Sequence, residues 1–446
     1  MIPVDMPPAD HRPHCIAPLW RMDRPDSIGS ITSDEYPIRV HWDRESDQQK
    51  AADVMAIAEL SWAVQVDQLG FRAPVLPDGE AGPQLDIYLA PIGEWEAWVE
   101  PNWYEDTDPG DGYNSTGGYI AIDRELPAEW IPSYVAHEFN HTTQFATDFS
   151  EETLTIWEAT AVSAQTWTLG DEGIWDWDVA DFQEAPWAPA LVADGELVYA
   201  WSGQGYIYEY GAALWVMHLD QVLGDADGSA GPALWDATAN EGWSYEPDVV
   251  DAVLEVSNQD LGTFMNGLAR TRWLTGDRWD ARGLPEAQDW TEEEAVPTEL
   301  LVQSADIPLR TDFEWGPTIT GQLFIEVDLD GRDDELVIEL SSVAGFDSAL
   351  WVLADGEEFQ ASGSQPRVEL QTANIESLVI AISNLGPPDW DGDDDPWVWG
   401  DQELSLGWGE VPEAEPSSCG CASRSFAGGL PLALCSLLLI RRRRES

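Results

Sequence analysis

Residues 133–145 read SYVAHEFNHTTQF and contain the pattern H-E-x-x-H. The segment is predicted to be helical, which places His137 and His141 one turn apart on one face, with Glu138 beside them. Two neutral imidazoles at this spacing suit a zinc ion, and the shorter glutamate can act as general base on a water bound to that ion. The alternative interpretation is a pair of core histidines, which would need hydrogen-bond partners among apolar neighbours.

A zinc site of this kind needs a third protein ligand. The longer motif with a further glycine and histidine is excluded, because those positions hold Gln144 and Thr147. Glu158, seventeen residues after His141, lies in the next predicted helix, 151–169. At helical spacing it shares an apolar stripe with Leu154, Trp157, Ala161 and Val162.

A carboxylate in an apolar stripe is costly unless a cation compensates its charge. We therefore predict Glu158 as the third ligand. The competing candidates Glu151 and Glu152 lie at the start of the same predicted helix, where the helix dipole stabilises acids without a metal.

At these residues the sequence resembles the gluzincin metallopeptidases, in which H-E-x-x-H is followed by a glutamate on the next active-site helix. Residues 208–214, YEYGAAL, are similar to the Y-E-x-G segment of aminopeptidase-type gluzincins, whose tyrosine donates a hydrogen bond to the oxyanion. The resemblance implies this role for Tyr208, while its aromatic neighbours Tyr206 and Tyr210 leave a core role for Tyr208 open. The exopeptidase signature G-x-M-E-N is absent, so the resemblance implies an endopeptidase.

The same resemblance extends over about residues 36 to 285 and includes a metalloprotease family known from myxobacterial genomes. It implies an α+β fold with a gluzincin-like catalytic domain, 36–290, built from a mixed sheet, a zinc helix and a helical subdomain. The sequence pattern agrees, with strands predicted at 38–42, 85–89 and 119–122 and a helix at 47–69 that ends at Gly70. Further helices are predicted at 209–223, 232–239, 247–256 and 261–273.

Two long segments of this domain carry weak patterns. Residues 94–113 form an acidic, aromatic loop, near which the resembled enzymes have an edge strand that holds the substrate backbone. Residues 170–205 are dense in Trp, Asp and Ala, and two interpretations stay open for them: a wall of the substrate cleft, or an irregular loop over the core. His41 is predicted to be a strand residue, and His218 a core or surface residue rather than a ligand.

The pattern changes after residue 298. Short alternating runs at 319–329, 335–340, 349–354, 368–372, 378–383 and 403–408 are separated by Gly, Pro and Asp, which predicts an antiparallel β-sandwich over 299–410. It is similar to the accessory domains that follow the catalytic part of many secreted bacterial peptidases. The run DGDDD at 391–395 is a candidate Ca²⁺ loop, but it lacks the distal glutamate of an EF-hand, and an exposed acidic turn is the preferred interpretation.

The overall charge excludes several classes of partner. The chain has 84 acidic and 20 basic residues, a formal net charge of -64, and Lys50 is its one lysine. Such a field repels nucleic acid and anionic lipid headgroups, so we expect no nucleic-acid partner. It suits either a salty environment or Ca²⁺ binding at acidic loops, and stability should depend on ionic strength.

The two ends of the chain give conflicting indications of where the protein is located. Residues 1–35 are polar and proline-rich, which predicts a mobile segment without a secretory signal. At the other end, a linker with a C-G-C motif (411–425) precedes an apolar run and an arginine cluster (426–446), an arrangement that resembles the MYXO-CTERM sorting tail. The tail predicts membrane attachment and an extracellular or cell-surface location, with an ordinary tail anchor as the alternative. A start codon upstream of Met1, with an omitted signal peptide, would reconcile the two ends.

Together these observations predict a monomeric zinc endopeptidase of the cell surface that acts on protein or peptide substrates. His137, His141 and Glu158 would bind zinc, Glu138 would be the base, and Tyr208 would hold the oxyanion. The competing hypothesis is a non-catalytic adhesin or binding protein with a structural or inactive metal site.

Overall fold

The computed structural model describes residues 23–77, 82–93, 96–101, 106–107, 110–170, 176–203, 207–240, 246–313, 316–342, 345–392, 394–399 and 402–412. These residues belong to one compact unit. The predicted sorting tail, 426–446, and most of the linker before it lie outside the described residues, as do residues 1–22. No helix within the described ranges is long and apolar enough to cross a membrane.

The first sheet is mixed, as expected. It contains β1 (Gly29–Thr32), β2 (Ile38–Trp42), β3 (Leu85–Ala90), β4 (Ala97–Pro101) and β5 (Gly118–Asp123), in the order β1-β2-β3-β5-β4. Strands β2, β3 and β5 are parallel, while β1 and β4 pair antiparallel at the two edges. Strand β4 lies within the segment 94–113 that the sequence pattern predicts as a loop.

The N-terminal boundary of ordered structure differs from the prediction. Residues 1–35 are predicted to be mobile, but β1 lies inside this range and pairs with β2 from Gly29 to Thr32. Arg24, still earlier, donates to Asp86 of β3 at 2.5 Å. A buried carboxylate on the sheet thus recruits a segment that has no apolar run of its own.

Two helices cover one face of this sheet. Helix α1 (Gln48–Ser61) continues as a π-helical segment, Trp62–Leu69, and ends at Gly70 in the left-handed conformation, with φ 91°. Helix α2 (Ile131–Phe145) carries the H-E-x-x-H motif and has Pro132 in its first turn, where a missing N–H costs nothing. The core between helices and sheet includes Val54, Ile87, Ile120, Val135 and Phe139.

The helical subdomain follows α2. It contains α3 (Leu154–Leu169), α4 (Asp176–Glu184), α5 (Gly195–Ser202), α6 (Tyr208–Gly211), α7 (Ala213–Met217) with a π-helical continuation (His218–Leu223), α8 (Ala230–Thr238), α9 (Val249–Ser257) and α10 (Leu261–Trp273). Helices α4 and α5 lie within 170–205, where the sequence pattern shows no helix. Such short helices carry little periodicity, and local capping supports them: Asp194 accepts from Glu196 N and Leu197 N at the start of α5.

The C-terminal part is a β-sandwich of two sheets. Its strands are β6 (Leu300–Gln303), β7 (Leu309–Phe313), β8 (Gln322–Asp328), β9 (Glu335–Ser342), β10 (Asp347–Ala354), β11 (Glu357–Gly363), β12 (Arg367–Gln371), β13 (Ser377–Gly386) and β14 (Gln402–Trp408). The sheet orders are β11-β10-β13-β8-β6 and β12-β9-β14-β7. The expectation of a purely antiparallel sandwich is wrong, because β6 pairs parallel with β8.

The sandwich packs directly on the helical subdomain. Trp273 of α10 stacks on Phe324 of β8 at 5.9 Å, and Gln322 Nε2 donates to Met265 O at 2.8 Å. On the other side, Thr318 Oγ1 donates to Trp187 O at 2.7 Å. A shared apolar layer therefore joins the two parts, and α10 covers the outer face of the five-stranded sheet.

Candidate metal centre

The two motif histidines lie on the same face of α2. Their ring centroids are 4.8 Å apart, with the ring planes 86° from each other. Val135 and Phe139, on the opposite face, are fully buried against the sheet and set the orientation of the helix. The helical period thus directs the histidines away from the sheet and toward α3.

Helix α3 brings Glu158 to the histidines. Glu158 Oε2 lies 3.0 Å from His137 Nε2 and 3.6 Å from His141 Nε2. Two ligand atoms about 2.1 Å from a shared tetrahedral ion would be separated by roughly 3.4 Å, so these spacings suit a zinc-sized ion. Within the described ranges, this is the one group of three or more His, Cys, Asp or Glu residues whose ligand atoms all lie within 4.8 Å of one another.

The donor set also matches zinc chemically. Two imidazole nitrogens and one carboxylate oxygen are borderline ligands that suit zinc, whereas Ca²⁺ and Mg²⁺ prefer oxygen alone. His137 and Glu158 are buried, and His141 is partly exposed. Three protein ligands leave one tetrahedral position for water or substrate, as catalytic zinc sites require.

When no cation is present, His141 holds a proton that the Glu158 carboxylate stabilises. Burial lowers the pKa of His141, but the adjacent Glu158 carboxylate outweighs burial and raises that pKa to about 9. Burial raises the pKa of Glu158, but His141 and His137 outweigh it and hold that pKa well below its usual range. Metal binding would replace this proton, so metal affinity should rise with pH.

Glu138 neighbours His137 on α2 and is a candidate base rather than a candidate ligand. Its side chain is 6% exposed, and it is not among the three residues whose ligand atoms converge. Burial raises its pKa, while His141 and His137 lower the pKa and Glu158 raises it further. A carboxylate with a raised pKa beside a metal site is suited both to accept a proton and to return it.

Gln144 determines which nitrogen of His141 faces the other ligands. Its Oε1 lies 2.6 Å from His141 Nδ1. Its Nε2 lies within hydrogen-bond distance of three acceptors, Asn140 Oδ1 at 2.8 Å, Trp157 O at 2.9 Å and Thr160 Oγ1 at 2.8 Å. With three acceptors around Nε2, the amide has one orientation, so Oε1 must accept from a protonated Nδ1 of His141. When His141 is neutral, as metal binding requires, its lone pair is therefore on Nε2, the atom near Glu158.

Two further residues hold this network in place. Asn140 Nδ2 donates to Gln65 Oε1 at 3.1 Å, and Gln65 Nε2 donates to Ala136 O at 2.9 Å. Trp235 Nε1 donates to Thr160 Oγ1 at 2.8 Å. Sequence reasoning used Gln144 only to exclude a longer motif. The signal that could have revealed its role is an amide one helical turn after a candidate ligand, on the same helix.

The structure does not bring Tyr208 to the histidines. Tyr208 is fully buried, packs on Phe182 with ring centroids 4.7 Å apart, and donates its hydroxyl to Ala188 O at 3.2 Å. Tyr210 stacks on His137 instead, with centroids 5.6 Å apart and planes 12° from parallel. Tyr208 and Tyr210 are two residues apart on α6, so their side chains are separated by about 200° around the helix axis. Only one of the two can therefore face the site.

The remaining sequence candidates lie away from the three ligands. His41 is on β2, with Nε2 2.9 Å from Asp86 Oδ1. His218 is fully buried, with Nδ1 2.8 Å from Thr271 Oγ1. Glu151 is predicted at the start of the helix, but it precedes α3, where it is buried and accepts from Thr153 N at 2.8 Å. Asp391, Asp394 and Asp395 are exposed, as the preferred interpretation of that acidic turn required.

Comparisons with known proteins give little additional information. The sequence matches no family model and no curated protein. Among solved structures, the chain is similar to the pre-peptidase C-terminal domain of a collagenase from Bacillus anthracis, at 12% sequence identity and a TM-score of 0.18. That match covers 25% of this chain and 96% of the collagenase domain. A TM-score this low supports no conclusion about fold or activity.

Proposed function

We propose that this protein is a zinc-dependent endopeptidase of the gluzincin type. The observation that supports this most strongly is the convergence of His137, His141 and Glu158, with Glu138 next to them on the same helix. Zinc bound there would supply Lewis-acid polarisation of a water and of a substrate carbonyl. A purely structural zinc site usually has four protein ligands, and this site has three and an adjacent base.

Glu138 would carry the proton during peptide hydrolysis. Its carboxylate accepts a proton from the attacking water as oxygen bonds to the carbonyl carbon, and the same group then protonates the leaving amine nitrogen. Burial and the nearby Glu158 carboxylate keep the pKa of Glu138 raised, which suits a group that must give the proton back. Gln144 would hold His141 in the tautomer that presents Nε2 to the metal.

Tyr210 replaces Tyr208 in our assignment of the oxyanion donor. The stacking of the Tyr210 ring on His137 supports this assignment, and Tyr208 lies on Phe182 with its hydroxyl donating to Ala188 O. A phenol donor strengthens its hydrogen bond as negative charge develops on the carbonyl oxygen. Tyr206, the other neighbour considered from sequence, lies outside the described residues.

The proposed substrates are extracellular proteins or peptides, and the proposed location is the cell surface, with membrane attachment through the C-terminal tail. These two statements rest on the sequence pattern of residues 411–446. The strongly negative charge disfavours a nucleic-acid partner. A monomer is sufficient for the proposed activity, because all the proposed ligands come from one chain.

The test is metal analysis of the purified full-length protein together with cleavage of an unstructured protein such as casein. We expect one zinc per chain at the site, loss of cleavage on chelation, and recovery on addition of zinc. Cleavage products should include internal fragments, since an endopeptidase does not need a free amino terminus. Zinc binding without cleavage of casein or a peptide library would favour the binding-protein hypothesis instead.

A further inference from the structure

A second cluster of ionisable groups lies just beyond the end of α2. Asp148, Glu151 and Asp248 are 1%, 5% and 4% exposed, respectively. Within the described part of the chain, no ion pair with Lys, Arg or His reaches any of the three. Burial raises the pKa of Asp148 to about 7, of Glu151 to about 8 and of Asp248 to about 6. Three uncompensated acids in the interior are costly in a chain of net charge -64.

The position of Asn114 gives an independent indication of a ligand. Asn114 and Asp148 are partners in a parallel β-bridge, and Phe149 N donates to Asn114 O at 3.0 Å. Residues paired in this way project their side chains to the same side. The Asn114 side chain is fully buried, and among the described residues neither its Oδ1 nor its Nδ2 has a hydrogen-bond partner. A buried amide with both ends unpartnered is rare, and its Oδ1 can accept a bound ion or water.

Asn240 adds another oxygen at the same place. Its Nδ2 donates to Asp148 Oδ2 at 2.8 Å, which locates the amide beside that carboxylate. Its Oδ1 is buried and, among the described residues, unpartnered. Asp148 Oδ1 is held by Ser150, through the backbone N at 3.0 Å and Oγ at 2.7 Å. The orientation of the Asp148 carboxylate is therefore set by the protein.

We propose that Asp148, Glu151, Asn114 and Asn240 form a buried site for a calcium ion. All the available donors are carboxylate or amide oxygens, which Ca²⁺ accepts in flexible geometry with six to eight ligands. Zinc is disfavoured because no histidine or cysteine belongs to the cluster, and Mg²⁺ is disfavoured because it demands near-ideal octahedral geometry and gives up its waters reluctantly.

Asp248 contributes charge rather than a ligand. Its Oδ1 accepts from Val250 N at 2.8 Å and Asp251 N at 3.0 Å, which caps α9. Asp148, Glu151 and Asp248 are also not among the residue groups whose ligand atoms all converge within 4.8 Å. The negative charge of Asp248 raises the pKa of Glu151 and favours a cation nearby.

The proposed ion would link the two helices that carry the zinc ligands. Asp148 follows the end of α2, which bears His137 and His141, and Glu151 precedes α3, which bears Glu158. Asn240 follows α8 and Asn114 precedes β5. Calcium binding would therefore stabilise the fold around the catalytic centre, whether or not the protein proves to be a peptidase.

The experiment uses the metal-stripped full-length protein at pH 8, where the carboxylates are more fully ionised. We would measure calcium binding by calorimetry and melting temperature across a calcium series, with Mg²⁺ in parallel. We expect a saturable site and a melting temperature that rises with the logarithm of free calcium, with little effect of Mg²⁺. Asp148→Asn and Glu151→Gln should each lower the calcium affinity by more than about tenfold.

Asp227→Asn is the matched control, because it removes one acidic charge at an exposed turn and leaves the cluster intact. It should bind calcium like the wild type. An absence of calcium binding in the folded wild-type protein would overturn the proposal and would mean that the acids are simply protonated. Equal calcium binding by the two cluster variants and the control would also overturn it, since it would place the ion elsewhere on the acidic surface. Circular dichroism would establish that each variant is folded.

Discussion

His141 and Gln144, one turn apart on α2, are joined by a hydrogen bond of 2.6 Å between Nδ1 and Oε1. A protein that binds a metal through His141 Nε2 needs the proton on Nδ1, and Gln144 supplies the acceptor that keeps it there. The amide cannot turn over, because its Nε2 faces Asn140 Oδ1, Trp157 O and Thr160 Oγ1.

The first prediction therefore concerns Gln144. Gln144→Leu removes the acceptor while keeping the side-chain volume similar, and we expect zinc affinity to fall about 10- to 100-fold. Gln144→Glu keeps an acceptor for His141 but places a carboxylate oxygen against three acceptors, so it should lower thermal stability more than it lowers zinc affinity. Competition with a zinc chelator and thermal melts would measure both effects. A folded Gln144→Leu protein with unchanged zinc affinity would contradict the assigned role.

Glu138 should matter to chemistry far more than to metal binding. Glu138→Gln removes the base and keeps the shape, so we expect unchanged zinc content with cleavage reduced by at least about 10²- to 10⁴-fold. Glu129→Gln, at an exposed position two residues before α2, is the control and should retain full activity. Turnover by Glu138→Gln close to that of the wild type would exclude the proposed mechanism.

Glu158 should matter to metal retention. Glu158→Gln removes the charge that faces both histidines, at 3.0 Å from His137 Nε2 and 3.6 Å from His141 Nε2. We expect the variant to lose zinc under mild chelation that leaves the wild type loaded. Glu152→Gln, at an exposed position before α3, should retain zinc. If both variants keep zinc equally well, the third ligand lies elsewhere.

The two tyrosines of α6 should separate catalysis from stability. Tyr210→Phe should reduce kcat by about 10²- to 10³-fold, because it removes a donor to the developing oxyanion. Tyr208→Phe should destabilise the fold by about 1 kcal/mol and leave kcat intact, because it removes the buried hydrogen bond to Ala188 O. Steady-state kinetics and denaturant unfolding would test the pair. The reverse pattern would restore Tyr208 to the catalytic role that the sequence resemblance implies.

His218 should make the fold sensitive to acid. Burial, together with Arg270, lowers the pKa of His218 to about 3, while the unfolded chain has a pKa near 6.5. Above pH 6.5 His218 is neutral in both states and does not reduce the free energy of unfolding. As the pH falls from 6.5 toward 3, the unfolded chain takes up a proton that folded His218 cannot bind, so the free energy of unfolding decreases. Between pH 6.5 and 5 the decrease in the free energy of unfolding that is due to His218 is about 2 kcal/mol.

The acid effect can be isolated by substitution. His218→Gln cannot take up a proton and should show a shallower loss of unfolding free energy between pH 6.5 and 5 than the wild type. Denaturant titrations at several pH values would give both slopes. Identical slopes in the two proteins would mean that His218 is already protonated in the folded state.

Several features followed from the sequence because they are local. A four-residue spacing on a helix places His137 and His141 on one face whatever the surrounding fold. A glutamate in an apolar stripe marked Glu158, since helical periodicity predicts burial and burial of a charge needs a partner. Helix α10 matches its predicted bounds, 261–273, because Asp260 caps its start and the pattern is regular.

Other features depended on tertiary contacts. The choice between Tyr208 and Tyr210 is set by how α6 packs on Phe182 and His137, and neither partner is near in sequence. The parallel pairing of β6 with β8 and the recruitment of β1 to the sheet are likewise non-local. Short strands and helices contain too few residues for a periodic pattern. Their tertiary contacts therefore determine where they form.

The burial of the acidic cluster also depends on tertiary contacts rather than on local sequence. In the sequence, Asp148 follows the motif helix and Glu151 begins the next predicted helix, and nothing local predicts that both are buried together. Only the fold brings Asn114 from before β5 and Asn240 from after α8 to the same place and removes all four side chains from most contact with water. The sequence by itself determined the candidate metal ligands on α2 and α3, because periodicity is a property of the local chain. The tertiary structure decided which polar groups lose water, because desolvation depends on what packs against them.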